Sequence, residues 1–450
     1  MRERLLLCLV TLTIGYACFA HGGVTPREWG FCMIAIVASA ILLWSPFRRD
    51  CFAPSPHPVL CLALVLVPVS VAVQLVPLPI AWLQAIDPAR AELAASLNAL
   101  GPAIRYAPLS VAPSLTFAHL ERVLTYLTMF FMARELSRRL HARPWLATLP
   151  IIVVGTLEAS LGLAQYFGGA GRATGTWVNP NHFASAMHMA FPFAALLAVR
   201  IVRRRSLARA SLSCLLMTCA AAILFGAIDS LSRMGLATVL TSCSLLASAG
   251  LLTTLRGPLR WLALLAPLAV LFYILIAAPG PLWDRFAVAH GASDITAEVR
   301  TQFWKEAIRL AEAHPVLGCG LGTYRSAIQQ FRDSAPLGLV EFAHNDYLQI
   351  FAEMGVAGSI AWLVSGVWIF AAPWRAVFAR PRARRRLLAI ACGVSLAALA
   401  LDSLVDFNFY IPANMLMAAW IAGLGSSPIF RRPASAGASE PAESGREALP

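Results

Sequence analysis

The sequence carries little charge for its length, and acidic residues are the scarcer part of it. Asp, Glu, Lys and Arg together make up 13% of the 450 residues, whereas hydrophobic residues make up 58%. Because a water-soluble domain is typically about one quarter charged, this composition excludes an ordinary soluble protein. The apolar runs are continuous and do not alternate with polar residues, which excludes a membrane β-barrel.

Sequence signatures of metal and nucleotide sites are also missing. The ten cysteines form no Cys-x-x-Cys pair, and Cys319 in a predicted outer loop has no cysteine partner there, so no disulfide framework is predicted. His182 and His188 have no carboxylate or cysteine at metal-ligand spacing. The glycine run Gly318–Gly322 follows no predicted strand and precedes no Gly-Lys-Ser/Thr, so it is interpreted as a flexible turn. No metal or other cofactor is predicted.

Apolar runs of about 18 or more residues recur along the whole chain, as expected of membrane-spanning helices. The sequence therefore predicts an all-α, polytopic membrane helix bundle with about twelve spans. The predicted spans are residues 5–20, 30–46, 59–82, 115–135, 146–167, 183–200, 208–228, 231–254, 259–278, 346–372, 385–402 and 410–427. The first run could be a signal peptide, but the charge distribution favours an uncleaved helix.

The net charge of +13 follows the predicted topology. With the N-terminus in the cytoplasm, 24 of the 36 Lys and Arg residues fall in inner segments, and the short outer loops contain few of them. This distribution satisfies the positive-inside rule, so the basic excess is mainly a topology signal and does not indicate a nucleic-acid partner. We expect residues 1–427 to form one transmembrane domain and residues 428–450 to form a disordered cytoplasmic tail.

Two outer loops are predicted, residues 83–114 and the larger segment 279–345. Between Thr296 and Ala313, apolar residues recur at helical spacing and polar residues fill the other side. This pattern predicts an amphipathic helix that lies on the membrane surface or caps the bundle, and His314-Pro315 ends it. The larger loop is predicted to lie on the outer side of the membrane.

Polar residues gather at the predicted outer ends of the spans in four groups. The groups are Arg172 with Asn179 and Asn181, then Asp229–Arg233, then Arg300 with His344, and finally Asp402 with Asp406. The predicted topology places all four groups on one face of the membrane, and it leaves open whether they meet in one pocket.

Arginine suits a pyrophosphate because its planar guanidinium donates two parallel hydrogen bonds and stays charged. Arg172 and Arg233 are therefore candidate pyrophosphate ligands, although outer-loop arginines also snorkel or bind lipid headgroups. Arg300 joins them, with a solvated helix face as its alternative. His344 can act as a general base on an acceptor hydroxyl, with helix capping as its alternative.

The remaining polar residues are expected to support the site. Asn345 and Asp346 are better placed than His344 to cap the helix that follows. Glu353 lies about two turns into that helix, where a buried carboxylate is either functional or paired. Asp402 and Asp406 are expected to hold helix ends and to pair with arginines.

Several short motifs occur in order along residues 60–427. They are Gly175-Thr-Trp-Val-Asn-Pro-Asn181, Ser230-Leu-Ser-Arg233, Arg300 to Trp304 leading to Pro315-Val-Leu-Gly-Cys-Gly-Leu-Gly322, His344-Asn-Asp-Tyr-Leu-Gln349 with Glu353-Met-Gly355, and Ser403-Leu-Val-Asp-Phe-Asn408 with Ile411-Pro-Ala-Asn414. Taken together, this ordered set resembles the O-antigen ligase and polymerase superfamily of bacterial inner-membrane glycosyltransferases.

The resemblance implies a lipid-donor (GT-C type) glycosyltransferase that is metal-independent and inverting. It implies an undecaprenyl-pyrophosphate-linked glycan as donor and lipid A–core as acceptor, with the active site facing the periplasm. His344 matches the histidine thought to activate the acceptor in such ligases, Arg172 and Arg233 match the pyrophosphate-binding arginines, and Arg300 matches a further basic position. Supporting roles are expected for Asn179, Asn181, Asn345, Asp346, Glu353 and Asp406.

Alternative functions differ in acceptor or in class. A Wzy-type polymerase of O-antigen or exopolysaccharide would use the same donor and a lipid-linked repeat as acceptor, and the sequence separates it poorly from a ligase. A protein glycan transferase is less favoured because no additional soluble module is visible. A polysaccharide transporter or flippase is less favoured because polar residues gather at the outer ends of the helices and the two halves differ in loop size. A passive scaffold ranks last.

Overall fold

The computed structural model describes residues 1–45, 53–98, 101, 103–202, 206–254, 297–333, 340–379 and 383–430. Helices dominate these residues. In chain order they are α1 (Arg2–Phe19), α2 (Pro26–Trp44), α3 (Pro58–Val73), α4 (Ile80–Ile86), α5 (Pro88–Leu97), α6 (Pro113–Arg139), α7 (Leu149–Gln165), α8 (Pro180–Val202), α9 (Leu207–Asp229), α10 (Arg233–Thr254), α11 (Ala297–Ala313), α12 (Tyr324–Ala327), α13 (Asp346–Phe378), α14 (Ala383–Asp402) and α15 (Pro412–Gly425). Short turns of 3₁₀-helix cover Pro144–Thr148, Ile328–Phe331, Asn408–Tyr410 and Pro428–Phe430, and a π-helical turn covers Tyr166–Ala170.

Seven helical segments of the described residues are long and apolar enough to cross a membrane. They are Pro26–Trp44, Pro144–Ala170, Pro180–Val202, Leu207–Asp229, Arg233–Leu251, Asp346–Phe378 and Pro412–Phe430. The predicted polytopic helical bundle is therefore confirmed, while the count of about twelve spans stays a prediction. Eleven of the predicted spans coincide with α1–α3, α6–α10 and α13–α15, and span 259–278 lies outside the described residues.

The third predicted span, 59–82, is too long. Helix α3 ends at Val73, and Pro77–Pro79 (β1) then pairs antiparallel with Tyr106–Pro108 (β2). Two prolines close together lack the backbone N–H groups that a continuing helix needs. The predicted outer loop 83–114 consequently contains ordered structure, in which Leu83 of α4 and Ala91 and Ala94 of α5 pack with Ala107 and Leu109 of the ribbon and its end.

The predicted span 346–372 is not one continuous helix, because α13 breaks at Gly355 (φ 59°, ψ −170°). The segment that precedes α12 runs against this break: Val356 N–H donates to the Pro315 carbonyl at 2.9 Å and Ala357 N–H to the Val316 carbonyl at 3.1 Å. The glycine run 318–322 is therefore a packed segment and not the flexible turn predicted from the sequence. A Cβ on Gly318 would come within 2.2 Å of the Glu353 carbonyl carbon.

Helix α11 is amphipathic, as predicted, and it caps the bundle by packing on α13. Phe303, Ala307 and Leu310 are buried on its inner face, whereas Ile308, expected on that face, is 46% exposed. The two outer loops are joined where His314 Nδ1 lies 2.7 Å from Asp87 Oδ2, and both side chains are buried. This packing fixes the described part of the large loop, residues 297–333 and 340–345, over one end of the bundle.

The main apolar core lies among α1, α2, α6–α9, α14 and α15, with Trp420 fully buried near its centre. Outward-facing side chains such as Leu12, Ile41 and Leu363 are each more than 60% exposed, as expected of surfaces in contact with lipid. The described chain continues past the predicted boundary at 427 through the turn Pro428–Phe430, in which Ile429 and Phe430 are buried. Residues 431–450 lie outside the described part.

Candidate active site

His344 lies at the end of the large loop, immediately before α13, in a left-handed backbone conformation (φ 52°). The Trp304 indole N–H donates to its carbonyl at 3.3 Å. Its ring is stacked near Phe303, with centroids 6.1 Å apart, and meets Phe407 edge-on at 4.9 Å. Non-glycine residues rarely adopt positive φ without support from their surroundings. Here α11 and the 403–411 loop supply that support, leaving the side chain 13% exposed.

Asp406 lies between two imidazoles. Its Oδ1 is 3.3 Å from His182 Nε2 and 3.6 Å from His344 Nδ1, and it accepts the Phe407 backbone N–H at 2.9 Å. Burial alone would raise the pKa of this carboxyl, but the facing imidazoles of His182 and His344 hold it well below its ordinary value. Asp406 therefore stays ionised and can orient the imidazole of His344. The 3.6 Å separation exceeds hydrogen-bond length, and such contacts often tighten only when substrate binds.

The expected pairing of Asp402 and Asp406 with arginines is wrong for the contacts described. Asp402 accepts from Ser185 Oγ at 2.8 Å and Thr238 Oγ1 at 2.6 Å, and it lies 2.8 Å from His188 Nδ1. This buried cluster joins α8, α10 and α14. A histidine of α8 therefore faces an aspartate twice. His188 faces Asp402 at the end of α14, and His182 faces Asp406 in the loop that follows.

Arg172 contacts the loop that leads to Arg233. Its Nε donates to the Ser230 carbonyl at 2.8 Å and its Nη2 to the Leu231 carbonyl at 3.4 Å, while Ala173 N–H donates to the Asp229 carbonyl at 2.9 Å. Arg233 is exposed at the first residue of α10. The two predicted arginine groups are therefore neighbours, and part of the Arg172 guanidinium is used to hold this loop.

Arg300 lies on α11, three residues before Phe303, whose ring faces His344. Its side chain is half-buried, and its Nε is buried without a hydrogen-bond acceptor among the residues that the structure describes. The position agrees with a basic residue near His344. The alternative that Arg300 lies on a solvated face of α11 does not fit this half-buried position.

The side chains of three predicted supporting residues accept hydrogen bonds from backbone N–H groups. Asn345 caps α13 by accepting the Leu348 N–H at 3.0 Å, and Asn179 caps α8 by accepting the Asn181 N–H at 2.9 Å. Asp346 is fully buried, and its carboxylate accepts the Phe409 N–H at 3.1 Å and 3.2 Å. Asp346 thereby fastens the start of α13 to the 403–411 loop. Asn181 contributes to this cap through its backbone N–H.

Glu353 is fully buried and hydrogen-bonded. It accepts from the Gly322 N–H at 2.7 Å, the Tyr324 N–H at 2.9 Å and the Tyr410 hydroxyl at 2.6 Å. Of the two roles left open for it, these contacts favour the paired one. Burial, with the Glu353 carboxylate beside it, raises the pKa of the Tyr410 hydroxyl well above its ordinary range, so this hydroxyl remains a donor.

The four polar groups predicted at the outer ends are thus linked by contacts. Arg172 holds the Ser230–Leu231 turn, His182 on α8 faces Asp406, and Asp406 faces His344. The two histidine–aspartate pairings were missed because the partners are more than 200 positions apart in the sequence. The available signal was the occurrence of two histidines, His182 and His188, within the apolar helix α8. In the described part of the chain, no cluster of three or more His, Cys, Asp and Glu could hold a metal ion.

Fold and site together define a polytopic helical membrane protein with a histidine–carboxylate pair and arginines at one end of the bundle. Residues 218–363 match the family model Wzy_C, described as O-antigen ligase. The match covers about a third of the chain and confirms the resemblance to the O-antigen ligase and polymerase superfamily. Arg233, Arg300 and His344 lie inside the matched segment, whereas Arg172 and Asp406 lie outside it. No curated protein matches the chain significantly.

Proposed function

We propose that this protein transfers a glycan from undecaprenyl pyrophosphate to an acceptor hydroxyl at the periplasmic face of the bacterial inner membrane. The observation that carries the proposal is the row His344, Asp406 and His182, at the bundle end where the two arginine loops meet. Lipid A–core is the acceptor that we favour, because the matching family model is described as O-antigen ligase.

His344 is the general base in the proposed mechanism. Its Nδ1 faces Asp406 Oδ1, so Nε2 is the atom that takes the proton from the acceptor hydroxyl. The acceptor oxygen attacks the anomeric carbon of the donor, and the bond from that carbon to the pyrophosphate oxygen breaks with inversion. The ionised Asp406 stabilises the imidazolium that forms, as an orienting carboxylate does in other histidine-based sites. No metal enters these steps.

Arginines stabilise the leaving pyrophosphate in this proposal. Negative charge builds on the departing oxygen, and preorganised cations placed there act more strongly than in bulk water. Arg233 is exposed at the first residue of α10 and supplies positive charge there. Arg172 contributes positive charge and holds the turn before Arg233. Arg300 contributes charge from α11.

The test is a transfer reaction with purified protein in lipid and a radiolabelled undecaprenyl-pyrophosphate glycan. We expect label on lipid A–core only when that acceptor is present. A ladder that grows from donor alone would identify a polymerase instead. If folded protein formed no new covalent product and the label crossed the bilayer, the proposed transfer would be wrong. The protein would then be a transporter.

Lysine in place of either Arg172 or Arg233 should lower the transfer rate by about tenfold or more, because lysine keeps the charge and loses the planar fork. Donor KM and kcat are measured separately for each variant. Arg27→Lys is the matched control, since Arg27 is exposed in the first turn of α2 and has no described contact with the site. Equal activity of all three variants would argue against pyrophosphate recognition by these arginines.

A further inference from the structure

A groove lies between α2, α3 and α6, in the half of the bundle away from His344. It contains a cavity of about 570 Å³, within the range of about 300–1,000 Å³ that is usual for ligand pockets. Trp44 of α2, Cys61 of α3 and residues 53–56 line part of this cavity. Its α6 wall consists of residues spaced three or four apart, which share one face of a helix. They are Leu124, Leu127, Thr128, Phe131, Arg134 and Glu135.

The α2–α3–α6 groove is distant from the candidate active site. Helix α6 begins beside the large loop, where Val111 N–H donates to the Cys319 carbonyl at 2.9 Å and His119 lies 6.0 Å from the Tyr410 ring. Arg134 follows His119 by fifteen residues in the same helix, which corresponds to about 22 Å along its axis. A ligand in the groove therefore does not reach His344.

The walls of the groove are apolar and open to the surrounding lipid. Leu124 and Phe131 line the cavity and are themselves 48% and 36% exposed. A second cavity of about 480 Å³ adjoins the first, because Trp44 and Thr128 line both. Ile41 of α2, which lines the second cavity, is 67% exposed. Two adjoining apolar cavities suit the two acyl chains of one diacyl lipid.

The length of the groove matches one leaflet of a bilayer. From Leu124 to Glu135 helix α6 advances by about 16 Å, close to half of the hydrocarbon core, which is about 30 Å thick. Trp44 is the last residue of α2, and tryptophan is enriched where a helix meets the headgroup region. An acyl chain that starts near Glu135 therefore ends near the bilayer centre.

The polar end of the groove carries a net positive charge. Glu135 accepts from Arg138 Nη2 at 2.6 Å and from Arg139 Nε at 2.7 Å. Arg134 Nη2 donates to the Pro54 carbonyl at 2.8 Å, and its side chain is buried in the cavity floor. Three arginines thus surround one carboxylate and leave two positive charges at the level of the headgroups. The Arg138 side chain is 30% exposed.

We propose that the α2–α3–α6 groove binds one anionic diacyl phospholipid, with its acyl chains in the two cavities and its phosphate beside Arg138. Basic pockets between membrane helices are typical binding sites for anionic headgroups. The apolar walls match hydrocarbon chains and do not match a free phosphate or a nucleotide. The inference goes beyond the proposed function and does not rest on it, because its tests measure lipid binding alone.

Binding is measured on the full chain, purified in detergent without added lipid and then titrated with lipid. The probes are dioleoyl phosphatidylglycerol, which is anionic, and dioleoyl phosphatidylcholine, which has the same acyl chains and no net charge. Native mass spectrometry counts the bound lipids. We expect one tightly bound phosphatidylglycerol per chain, with an affinity about fivefold or more above that of phosphatidylcholine. Equal affinity for the two lipids would overturn the proposal.

Thr128→Trp tests the position of the acyl chains, because Thr128 lines both cavities. The indole should fill the groove and weaken the tight site by about tenfold or more. Thr218→Trp is the matched control. Thr218 is exposed on α9 and lines neither cavity, and both threonines donate to the carbonyl four residues before them. Loss of the tight site in both variants, or in neither, would contradict the assignment.

Arg138→Gln tests the headgroup contact. It should lower the affinity for phosphatidylglycerol by about fivefold and leave that for phosphatidylcholine unchanged. Arg209→Gln removes the same charge from the exposed first turn of α9 and should bind phosphatidylglycerol as the wild type does. If Arg138→Gln kept the full preference for phosphatidylglycerol, the proposed contact with an anionic headgroup would be wrong.

A chemical readout locates the lipid without any variant, so it applies even if Thr128→Trp does not fold. Cys61 lines the cavity, whereas Cys214 is exposed on α9. Bound phosphatidylglycerol should slow the modification of Cys61 by N-ethylmaleimide in proportion to occupancy and leave Cys214 unchanged, as measured by peptide mass spectrometry. Binding that leaves Cys61 equally reactive would place the lipid elsewhere. Protection that follows protein concentration and not lipid would assign the groove to a second copy of the chain. Either result would overturn the proposal.

Discussion

Alanine in place of His344 should reduce glycan transfer by about 10²- to 10⁴-fold, the usual contribution of a general base, while the protein stays folded. The side chain is only 13% exposed but makes no described hydrogen bond through its ring, since its nearest polar neighbour is Asp406 at 3.6 Å. Removal of the ring should therefore abolish its catalytic role and leave the hydrogen bonds that hold the loop almost unchanged. The rate is measured with saturating donor and acceptor.

The backbone of His344 requires its own control, because φ is 52° there. Asparagine tolerates the left-handed region better than alanine, so His344→Asn separates the loss of the base from backbone strain. Both variants should be equally inactive. His21 has a similar φ of 55° and an exposed side chain, so His21→Ala should transfer at the wild-type rate. A wild-type transfer rate for His344→Asn would show that His344 is not the general base.

The helices of this protein could be predicted from the sequence because one physical quantity, the length of an apolar run, decides whether a segment spans a membrane. α8 and α9 are found within three residues of the predicted bounds. The errors occur where distant backbone decides the conformation. The break at Gly355 depends on Val316 and Gly318 lying against it, and no local pattern in α13 reports that contact.

The candidate site could be predicted only in part. His344, Arg172 and Arg233 could be proposed because polar residues are rare in this chain, so each one is informative, and their roles stay predictions. Their partners were not found, since Asp406 faces His182 across 224 positions and Arg172 binds backbone carbonyls that carry no sequence signal. Side chains that bind backbone are a general limit of prediction from residue types alone.

Replacing Gly318 with alanine should strongly destabilise the folded protein, although it adds only one methyl group. Gly318 has φ 71°, and its Cβ would lie 2.2 Å from the Glu353 carbonyl carbon and 2.3 Å from its oxygen. These are backbone atoms, which cannot move aside as a flexible side chain can. The adjacent hydrogen bonds from Cys319 N–H to the Ala352 carbonyl and from Gly320 N–H to the Glu353 carbonyl would separate with them.

A shift of the backbone at Glu353 should also weaken other contacts, because the Glu353 carboxylate accepts hydrogen bonds from the Gly322 N–H and the Tyr410 hydroxyl. We expect a loss of about 3 kcal/mol or more in the free energy of unfolding, within the range of strain and broken buried networks. It is measured as a fall in the thermal unfolding midpoint in detergent, together with the yield of monodisperse protein.

Gly366, within α13, provides the matched glycine-to-alanine substitution. Nothing lies within 4 Å of a Cβ at Gly366, and alanine is favoured over glycine in a helix interior by about 0.5–1 kcal/mol. Gly366→Ala should therefore unfold at the wild-type temperature or slightly above it. If Gly318→Ala were as stable as Gly366→Ala, the close backbone contact between the large loop and α13 would be wrong. The large loop would then lack its fixed position over the bundle, and the support given to His344 by α11 would have to come from elsewhere.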